Sequence, residues 1–344
     1  MASSNPLPAP LSPAFAAAFA HAAGASRELR FDAFMRLALY DPQLGYYRRD
    51  RLRVGRHRAA DFYTATSIGP LFGELVAAAS AHLLETAGLK PANHTFVEIG
   101  AEPVGGVLAG LARHPFAAAR TLSVGQPLTL DGPCVIFSNE LFDAQPLRRF
   151  RRDPCGWQET GVRLAEDGTS LSETDLGPAP SDLLDWLPPL SLTPAGYLFD
   201  APIAAATLAA DIAAQPWHGL FVAFDYGKSF AELGHSNPAG TARAYFQHTQ
   251  SNRLLDHPGE QDLTAHVCWD WLTAALASHH CESPKVVSQE SFMVHHAGEF
   301  INEALVQEAS RPGLSPRKQA LLHLLHPAQM GQKFQVLHAL KPAP

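Results

Sequence analysis

The chain has 344 residues, with 26 Lys and Arg against 33 Asp and Glu, which gives a formal net charge of −7. Its 46% apolar and 17% charged residues are typical of a packed globular protein and exclude a disordered or collagen-like chain, while the negative charge balance argues against a nucleic-acid partner. The four cysteines, at positions 134, 155, 268 and 281, form no C-x-x-C pair, so we predict free thiols in a reducing compartment and no metal site.

The amino-terminal residues contain no targeting or membrane signal. Residues 1–26 have no Lys or Arg, and the apolar stretch 16–25 is interrupted by His21 and Gly24. A membrane span needs about 18 apolar residues, and a secretory or organellar leader needs basic residues. We therefore predict a cytoplasmic chain that does not enter a membrane, with a loose arm over residues 1–27. The sequence makes no prediction of the oligomeric state.

Three short apolar runs predict the core of the fold. Residues 95–100, 134–140 and 220–227 are continuous apolar runs that end in an acid and a turn former. Such runs are typical of parallel strands covered on both faces by helices, and residues 77–87 and 201–214 are helix candidates. Ligands bind at the carboxyl ends of such strands, so we expect one crevice to collect Glu98, Asn139, Glu140, Asp143 and Asp225. The alternative for any single acid is a solvated strand end.

The segment after the second run has a different pattern. Residues 147–152 and 156–164, and the residues after Asp167-Gly168, alternate between polar and apolar side chains. This alternation predicts an inserted antiparallel element. A proline-rich stretch over residues 178–194 then returns the chain to the core.

Several longer motifs resemble one known family. The motifs are FMRLALYDP at 34–42, NELFDAQP at 139–146, DYG at 225–227, PGEQDLTAHV at 258–267 and MGQKFQVL at 330–337. With these motifs in order, the chain resembles the MidA-like methyltransferases, a family that includes the mitochondrial complex I assembly-factor arginine methyltransferase. The resemblance implies S-adenosylmethionine as methyl donor and an arginine of a partner protein, of the respiratory-complex-assembly type, as acceptor.

The resemblance also implies the architecture. We expect an α/β Rossmann-like class I methyltransferase, with a mostly parallel doubly wound sheet, an N-terminal helical segment and an inserted second lobe. The predicted divisions are the arm at 1–27, a helical cap at 28–90, the core at 91–146 and 201–230, the inserted β-element at 147–200, a helical acceptor-side lobe at 231–285, and C-terminal strands and helix at 286–344.

Catalytic roles follow from the chemistry of the implied acceptor. A guanidinium, with a pKa above about 12, has no free lone pair at neutral pH, so carboxylates must hold it bidentately and take its proton. We predict that Glu140 and Asp143, with Asn139, have this role. The alternative for Asp143 is a cap of a following helix.

Binding roles are implied by the same resemblance. The donor is expected to contact Glu98, Gly100, Gly105, Gly106, Gly69 and Pro70. In the family, a glycine-rich turn after the first strand lets the backbone approach the ligand, and a helix follows this turn. The acceptor is expected to contact Asp225, Tyr226, Arg243, His248, Glu260, Gln261, Asp262 and His266. The alternative for Asp262 is the cap of a helix start.

Two departures from the family pattern support a second hypothesis. Glu102 and Val104 stand where the family carries glycines, and no Asp or Glu between Ala117 and Leu130 could bind the donor's ribose. The alternative function is therefore that of a protein-binding or assembly factor. Under this alternative the chain is a degenerate methyltransferase fold with an impaired donor pocket. Catalytic activity is left open. A dinucleotide enzyme is disfavoured because the turn lacks G-x-G-x-x-G.

Overall fold

The computed structural model of the chain describes residues 11–48, 69–101, 105–247, 249–309, 313 and 315–344. Its α-helices are α1 (Pro13–Ala23), α2 (Phe31–Tyr40), α3 (Pro70–Thr86), α4 (Ile203–Ala214), α5 (Phe230–His235), α6 (Trp269–Ser278), α7 (Gln289–His296), α8 (Gly298–Ala309) and α9 (Pro316–Leu325). Its strands are β1 (Glu28–Arg30), β2 (Thr95–Ile99), β3 (Ala118–Leu122), β4 (Gly132–Asn139), β5 (Arg148–Asp153), β6 (Gly156–Leu164), β7 (Leu171–Pro178), β8 (Leu198–Ala201), β9 (Trp217–Asp225), β10 (Gly227–Lys228), β11 (Arg243–Phe246), β12 (Thr249–Ser251), β13 (Asp262–Thr264), β14 (Val267–Cys268), β15 (Glu282–Ser288) and β16 (Gln335–Lys341).

The three apolar runs form neighbouring strands of a six-stranded sheet with the order β15-β16-β9-β4-β2-β3. Strands β3, β2, β4 and β9 pair in parallel. Strand β16 is antiparallel to both β9 and β15, so β15 runs in the same direction as β9. The predicted mostly parallel sheet is confirmed.

Helices cover both faces of this sheet, as continuous apolar strands require. On one face, α3, α7, α8 and α9 bury apolar side chains against Phe96, Phe137 and Phe224. On the other face, α4 and α6 pack against Val97, Ile136 and Phe221. The doubly wound α/β fold predicted from the sequence is therefore present.

A second lobe is built from the segment between β4 and β9 and from the amino-terminal residues. Strands β1, β6, β5 and β8 form a sheet in that order, and β7 pairs with β6. Helices α1 and α2 pack on one side of it, and α5 packs on the other side. The inserted antiparallel element predicted for residues 147–200 is therefore present.

Three predicted divisions differ from the structure. The arm is not loose over residues 13–23, because Phe15 and Phe19 of α1 are buried in the second lobe. Helix α3 packs on the central sheet rather than in an N-terminal cap. The segment 231–285 contains a small sheet of β11, β12 and β13, and its long helix α6 belongs to the core, so it is not a helical lobe.

In the described residues, no helix combines the length and the apolar character needed to cross a membrane.

Burial of His338 in β16 leads to an expected pH dependence of stability. Its ring lies 5.4 Å from Phe292 and 5.5 Å from His296, and burial lowers its pKa to about 4. The unfolded chain therefore binds a proton near pH 6.5 that the folded chain does not, so stability is lost as the pH falls from 6.5 towards 4. For this one group we expect a loss of roughly 1 to 2 kcal/mol between pH 7 and pH 5.

Urea unfolding of His338→Phe at both pH values checks this expectation. The loss of unfolding free energy on acidification should be smaller in the variant than in the wild type. The matched control is His323→Phe, at an exposed position of α9, and it should keep the wild-type difference. Equal pH dependence in His338→Phe and the wild type would contradict the assignment.

Candidate functional site

A cavity of about 940 Å³ lies at the carboxyl ends of β2 and β4, between the central sheet and the second lobe. This volume is at the upper end of the range for small-molecule sites. The described residues that line it are Tyr40, Tyr47, Gly69, Pro70, Glu98, Gly100, Ala101, Gly105, Gly106, Val107, Ala109, Gly110, Val124, Asn139, Glu140, Leu141, Asp143, Ala144, Tyr226, Thr241, Arg243, Tyr245, Gln250, Asp262, Thr264, His266, Lys333 and Phe334.

The end of the cavity next to β2 is built around Glu98, and we call it the donor end. The Glu98 carboxylate accepts a hydrogen bond from the Val107 backbone N–H at 2.6 Å. A side chain at Gly106 would place its Cβ 2.4 Å from Glu98 Oε2 and 2.7 Å from Thr121 Cγ2. Glu98 therefore holds the turn after β2 close to the strand, and only glycine fits at position 106.

Among the residues that the structure describes, no helix follows β2 at the donor end. The described residues between β2 and β3 form turns, in contrast to the predicted helix. No helix follows β3 either. Val124, just after the end of β3, lines the cavity, and its carbonyl oxygen accepts a hydrogen bond from the Arg48 guanidinium at 2.7 Å. The sequence itself has no Asp or Glu between Ala117 and Leu130, so the end of β3 carries no acid for the ribose of the donor. Glu102 and Val104 lie outside the described residues.

The end of β4 carries Asn139 and Glu140 into the cavity. Glu140 has a φ of 51°, a left-handed conformation that turns the chain sharply as the strand ends. Its backbone N–H donates to the Phe224 carbonyl at 2.9 Å, and the Asn139 amide donates to Glu140 Oε1 at 3.1 Å. Asn139 Oδ1 is buried without a hydrogen-bond partner, so it offers an acceptor to a ligand.

Asp143 is buried where the cavity meets the ends of β9 and β13, and we call this part of the cavity the acceptor end. Its Oδ1 has no hydrogen-bond partner in the structure, while Tyr226 bonds to its carboxylate. Burial raises the pKa of Asp143 well above its usual range, and the charge of Asp225 raises it further. A buried carboxyl group with a raised pKa is well suited to accept a proton near neutral pH.

Tyrosines and a third acid complete the acceptor end. Asp262 Oδ1 accepts a hydrogen bond from the Tyr47 hydroxyl at 2.8 Å, and Tyr47 stacks on Tyr40 at 5.5 Å. Burial raises the pKa of both tyrosines, so they keep their protons. The acceptor end therefore combines the carboxylates of Asp143 and Asp262 with aromatic faces, both of which attract a cation.

His266 also lines the acceptor end, close to Tyr226. Burial lowers its pKa to about 4, with the positive charges of Lys228 and Arg243 lowering it further. The imidazole is therefore neutral at pH 7 and does not oppose the binding of a cation.

The structure brings most predicted site residues to this one cavity. All of the predicted donor contacts line it, as do Asn139, Glu140 and Asp143 and the predicted acceptor contacts Tyr226, Arg243, Asp262 and His266. Their roles stay predictions. His248 lies outside the described residues.

The structure corrects three predicted acceptor contacts and two alternatives. Asp225, Glu260 and Gln261 are not among the lining residues. Gln261 is buried and donates to the carbonyl oxygens of Arg253 and Leu254, so it holds its own loop. Asp143 precedes no helix and Asp262 begins strand β13, so neither is a helix cap.

Several lining residues were not predicted as site residues: Tyr40, Tyr47, Thr241, Tyr245 and Thr264. Tyr40 and Thr264 belong to motifs of the resemblance, but a lone tyrosine or threonine has no chemical signature in a sequence. Tyr40 and Tyr47 also come from the second lobe, far along the chain from the residues that they contact. The Tyr40 hydroxyl bonds to Ala144, 104 residues later, and the Tyr47 hydroxyl bonds to Asp262, 215 residues later.

A comparison with protein families matches residues 119–287 to a family described as "Putative S-adenosyl-L-methionine-dependent methyltransferase". The chain is 24% identical to protein arginine methyltransferase NDUFAF7, mitochondrial, of Danio rerio over 368 residues, covering 90% of this chain and 83% of that protein. It is also 24% identical to the Mus musculus protein of the same name, covering 88% and 78%.

A solved structure from Burkholderia thailandensis, bound to S-adenosyl-homocysteine, shares this fold. The superposition has a TM-score of 0.81 at 24% identity and covers 95% of this chain and 92% of that one. A second structure from the same organism gives a TM-score of 0.77 at 23% identity. These similarities show that the chain shares the fold of the two solved structures, and the match to the methyltransferase family covers residues 119–287, just under half of the chain.

Proposed function

We propose that the chain binds S-adenosylmethionine and transfers its methyl group to an arginine side chain of a partner protein. The observation that carries the proposal is the single cavity, which has a glycine-lined donor end at Glu98 and an acceptor end with Asp143 and Asp262. The relatives named protein arginine methyltransferases support the choice of acceptor.

The residues of the donor end fit the donor. Gly105 has a φ of 115°, and Gly106 lies so close to the side chains of Glu98 and Thr121 that no Cβ fits there. Backbone at such glycines can approach a ligand closely. The unpartnered Asn139 Oδ1 at the end of β4 supplies a hydrogen-bond acceptor for the amine or hydroxyl groups of the donor.

The acceptor end fits a guanidinium. When bound, S-adenosylmethionine supplies an electrophilic methyl group on a sulfonium. Glu140 and Asp143 would hold the planar guanidinium by charge-assisted hydrogen bonds and so aim one nitrogen at the donor end. Transfer would break the methyl–sulfur bond and leave neutral S-adenosyl-homocysteine at the donor end, and the Asp143 carboxylate would accept the proton that the methylated nitrogen must lose.

Calorimetric titration of S-adenosyl-homocysteine into the purified chain tests donor binding. We expect binding on the order of micromolar or tighter, weakened at least about 100-fold in Gly106→Val, because its Cβ would strike Glu98 and Thr121. The matched control is Gly298→Val, since a Cβ at Gly298 meets nothing within 4 Å. Absence of heat with the wild type at millimolar ligand would remove the proposal.

A second experiment tests the acceptor. Purified chain and tritiated S-adenosylmethionine are added to an extract of cells that lack the chain, and the proteins are hydrolysed to amino acids. We expect radioactivity in methylarginine, and none with Gly106→Val. Radioactivity in methyllysine or another methylated residue would keep the methyltransferase and reject arginine.

The alternative function is a degenerate methyltransferase fold that acts as an assembly factor. The observation in its favour is the end of β3, where Val124 lines the cavity and no helix follows. Under this alternative, the wild type and Gly106→Val would bind a partner protein equally well and neither would bind S-adenosyl-homocysteine.

The cytoplasmic location stays a prediction, while the relatives carry the word mitochondrial in their names. It is tested by fractionating cells that express a tagged full-length chain.

A further inference from the structure

Asp225, the last residue of β9, lies beneath the acceptor end of the cavity and does not line it. Its side chain is completely buried, at 0% exposure. Oδ2 accepts hydrogen bonds from the backbone N–H groups of Phe142 at 2.9 Å and Asp143 at 3.3 Å. Oδ1 accepts the N–H of Tyr226 at 2.9 Å. A buried carboxylate is retained only where such donors offset its loss of water.

We propose that Asp225 is a positioning residue: its carboxylate fixes the turn at residues 141–143 so that the Asp143 side chain faces the acceptor end of the cavity. The inference rests on the proposed function and deepens it, because it reassigns a predicted substrate contact to a residue that acts through Asp143.

The turn needs such a support because it belongs to no helix or strand. Buried backbone N–H groups outside regular structure must find other acceptors, and Asp225 supplies one acceptor to two successive residues. The carbonyl side of the turn is fixed separately. Ala265 N–H donates to the Asp143 carbonyl and the Tyr40 hydroxyl donates to the Ala144 carbonyl, both at 2.9 Å. Asp225 therefore completes the fixation of Asp143 on its amide side.

Asp225 also affects the proton affinity of Asp143. The other titratable and charged groups around this end are Tyr226 after β9, Asp262 on β13, His266, Tyr40 on α2, Tyr47, Arg243 and Tyr245 on β11, Lys333 before β16, and Glu140 in the same turn. Among the causes of the raised pKa of Asp143, burial is the largest and the charge of Asp225 is next, ahead of Asp262. Removing that charge should lower the pKa of Asp143.

The test is Asp225→Asn, which preserves shape but leaves one acceptor oxygen in place of two. Amide hydrogen exchange of the peptide covering residues 140–145 is measured first, because it does not depend on activity. We expect faster exchange there than in the wild type. The matched control is Asp211→Asn, at an exposed position of α4, which should leave exchange in this peptide unchanged.

Kinetics supply the second readout. With the tritium assay, we expect kcat to fall about 10 to 100-fold, since a small displacement of a catalytic group has effects of this size, while the Kd for S-adenosyl-homocysteine stays within about threefold. Activity rises with pH as Asp143 loses its proton, so the rising limb should move to lower pH in Asp225→Asn. Unchanged exchange in the 140–145 peptide, or an unshifted rising limb, would overturn the proposal.

The two proposals can fail separately. If the wild type transfers no methyl group, the proposed function fails, and hydrogen exchange alone still decides whether Asp225 holds the turn. Should Asp225→Asn not fold, Asp225→Ser, which retains one short acceptor, is measured in the same way. Faster exchange in that variant supports the role of Asp225, and wild-type exchange rejects it.

Discussion

Asp143→Asn is expected to slow methyl transfer by about 10²- to 10³-fold, the range for loss of a positioned proton acceptor. Asparagine keeps the size of the side chain and can still bond to Tyr226, but it cannot accept the proton that leaves the guanidinium. Because Asp143 lies at the acceptor end, the Kd for S-adenosyl-homocysteine should change by less than about threefold. The expected loss is therefore in kcat.

Initial rates of tritium incorporation into methylarginine and calorimetric titration check the two halves of this expectation. The matched control is Asp131→Asn, because Asp131 is exposed just before β4, at the other end of that strand. Its rate should equal that of the wild type. If Asp143→Asn kept full activity, the proton would have to leave through another group, and the role of Asp143 would be refuted.

Asp200→Asn is expected to lower the free energy of unfolding by about 3 to 5 kcal/mol, the range for breaking a buried ion pair. Asp200 Oδ1 pairs with Arg149 Nε at 2.9 Å, and the two side chains are 0% and 5% exposed. Asp200 Oδ2 accepts the backbone N–H groups of Thr241 and Ala242 at 2.7 and 2.8 Å. The substitution removes the negative charge of the fully buried partner of Arg149, so that the guanidinium keeps only the 36% exposed Glu173 carboxylate of this pair of partners, and it disturbs the residues that lead into β11.

Urea unfolding monitored by circular dichroism measures this loss. The matched control is Glu28→Gln, which also removes the carboxylate of an arginine pair in the second lobe. Because Arg163 in that pair is 58% exposed, we expect a change of less than about 1 kcal/mol. A loss in Asp200→Asn no larger than in this control would contradict the importance assigned to the buried pair.

The strands of the core could be predicted because their signal is local. Residues 95–100, 134–140 and 220–227 are apolar without alternation, and a strand buried on both faces has no other composition available to it. Once the strands are parallel neighbours, their carboxyl ends must meet at one edge. Glu98 and Glu140 were therefore placed at one crevice without any knowledge of the tertiary structure.

Asp225 illustrates what such a pattern cannot decide. Side chains alternate between the faces of a strand, so Asp225 points to the same face as Phe221 and Ala223, which pack against α4 and α6. The turn that carries Phe142 folds over that face and covers the carboxylate. The path of this turn therefore decides whether an acid at a strand end, such as Asp225, reaches the cavity. The apolar pattern of the strands does not predict that path.

The sequence by itself determined the central sheet, the edge at which the acids meet and the family resemblance, because all three follow from short runs of adjacent residues. Only the tertiary structure decided that Tyr40 and Tyr47 line the acceptor end beside Asp262, and that Asp225 and Gln261 stay beneath the surface. The physical reason is that these contacts join segments separated by as many as 215 residues, and packing of the second lobe against the sheet fixes them rather than any local preference of the chain.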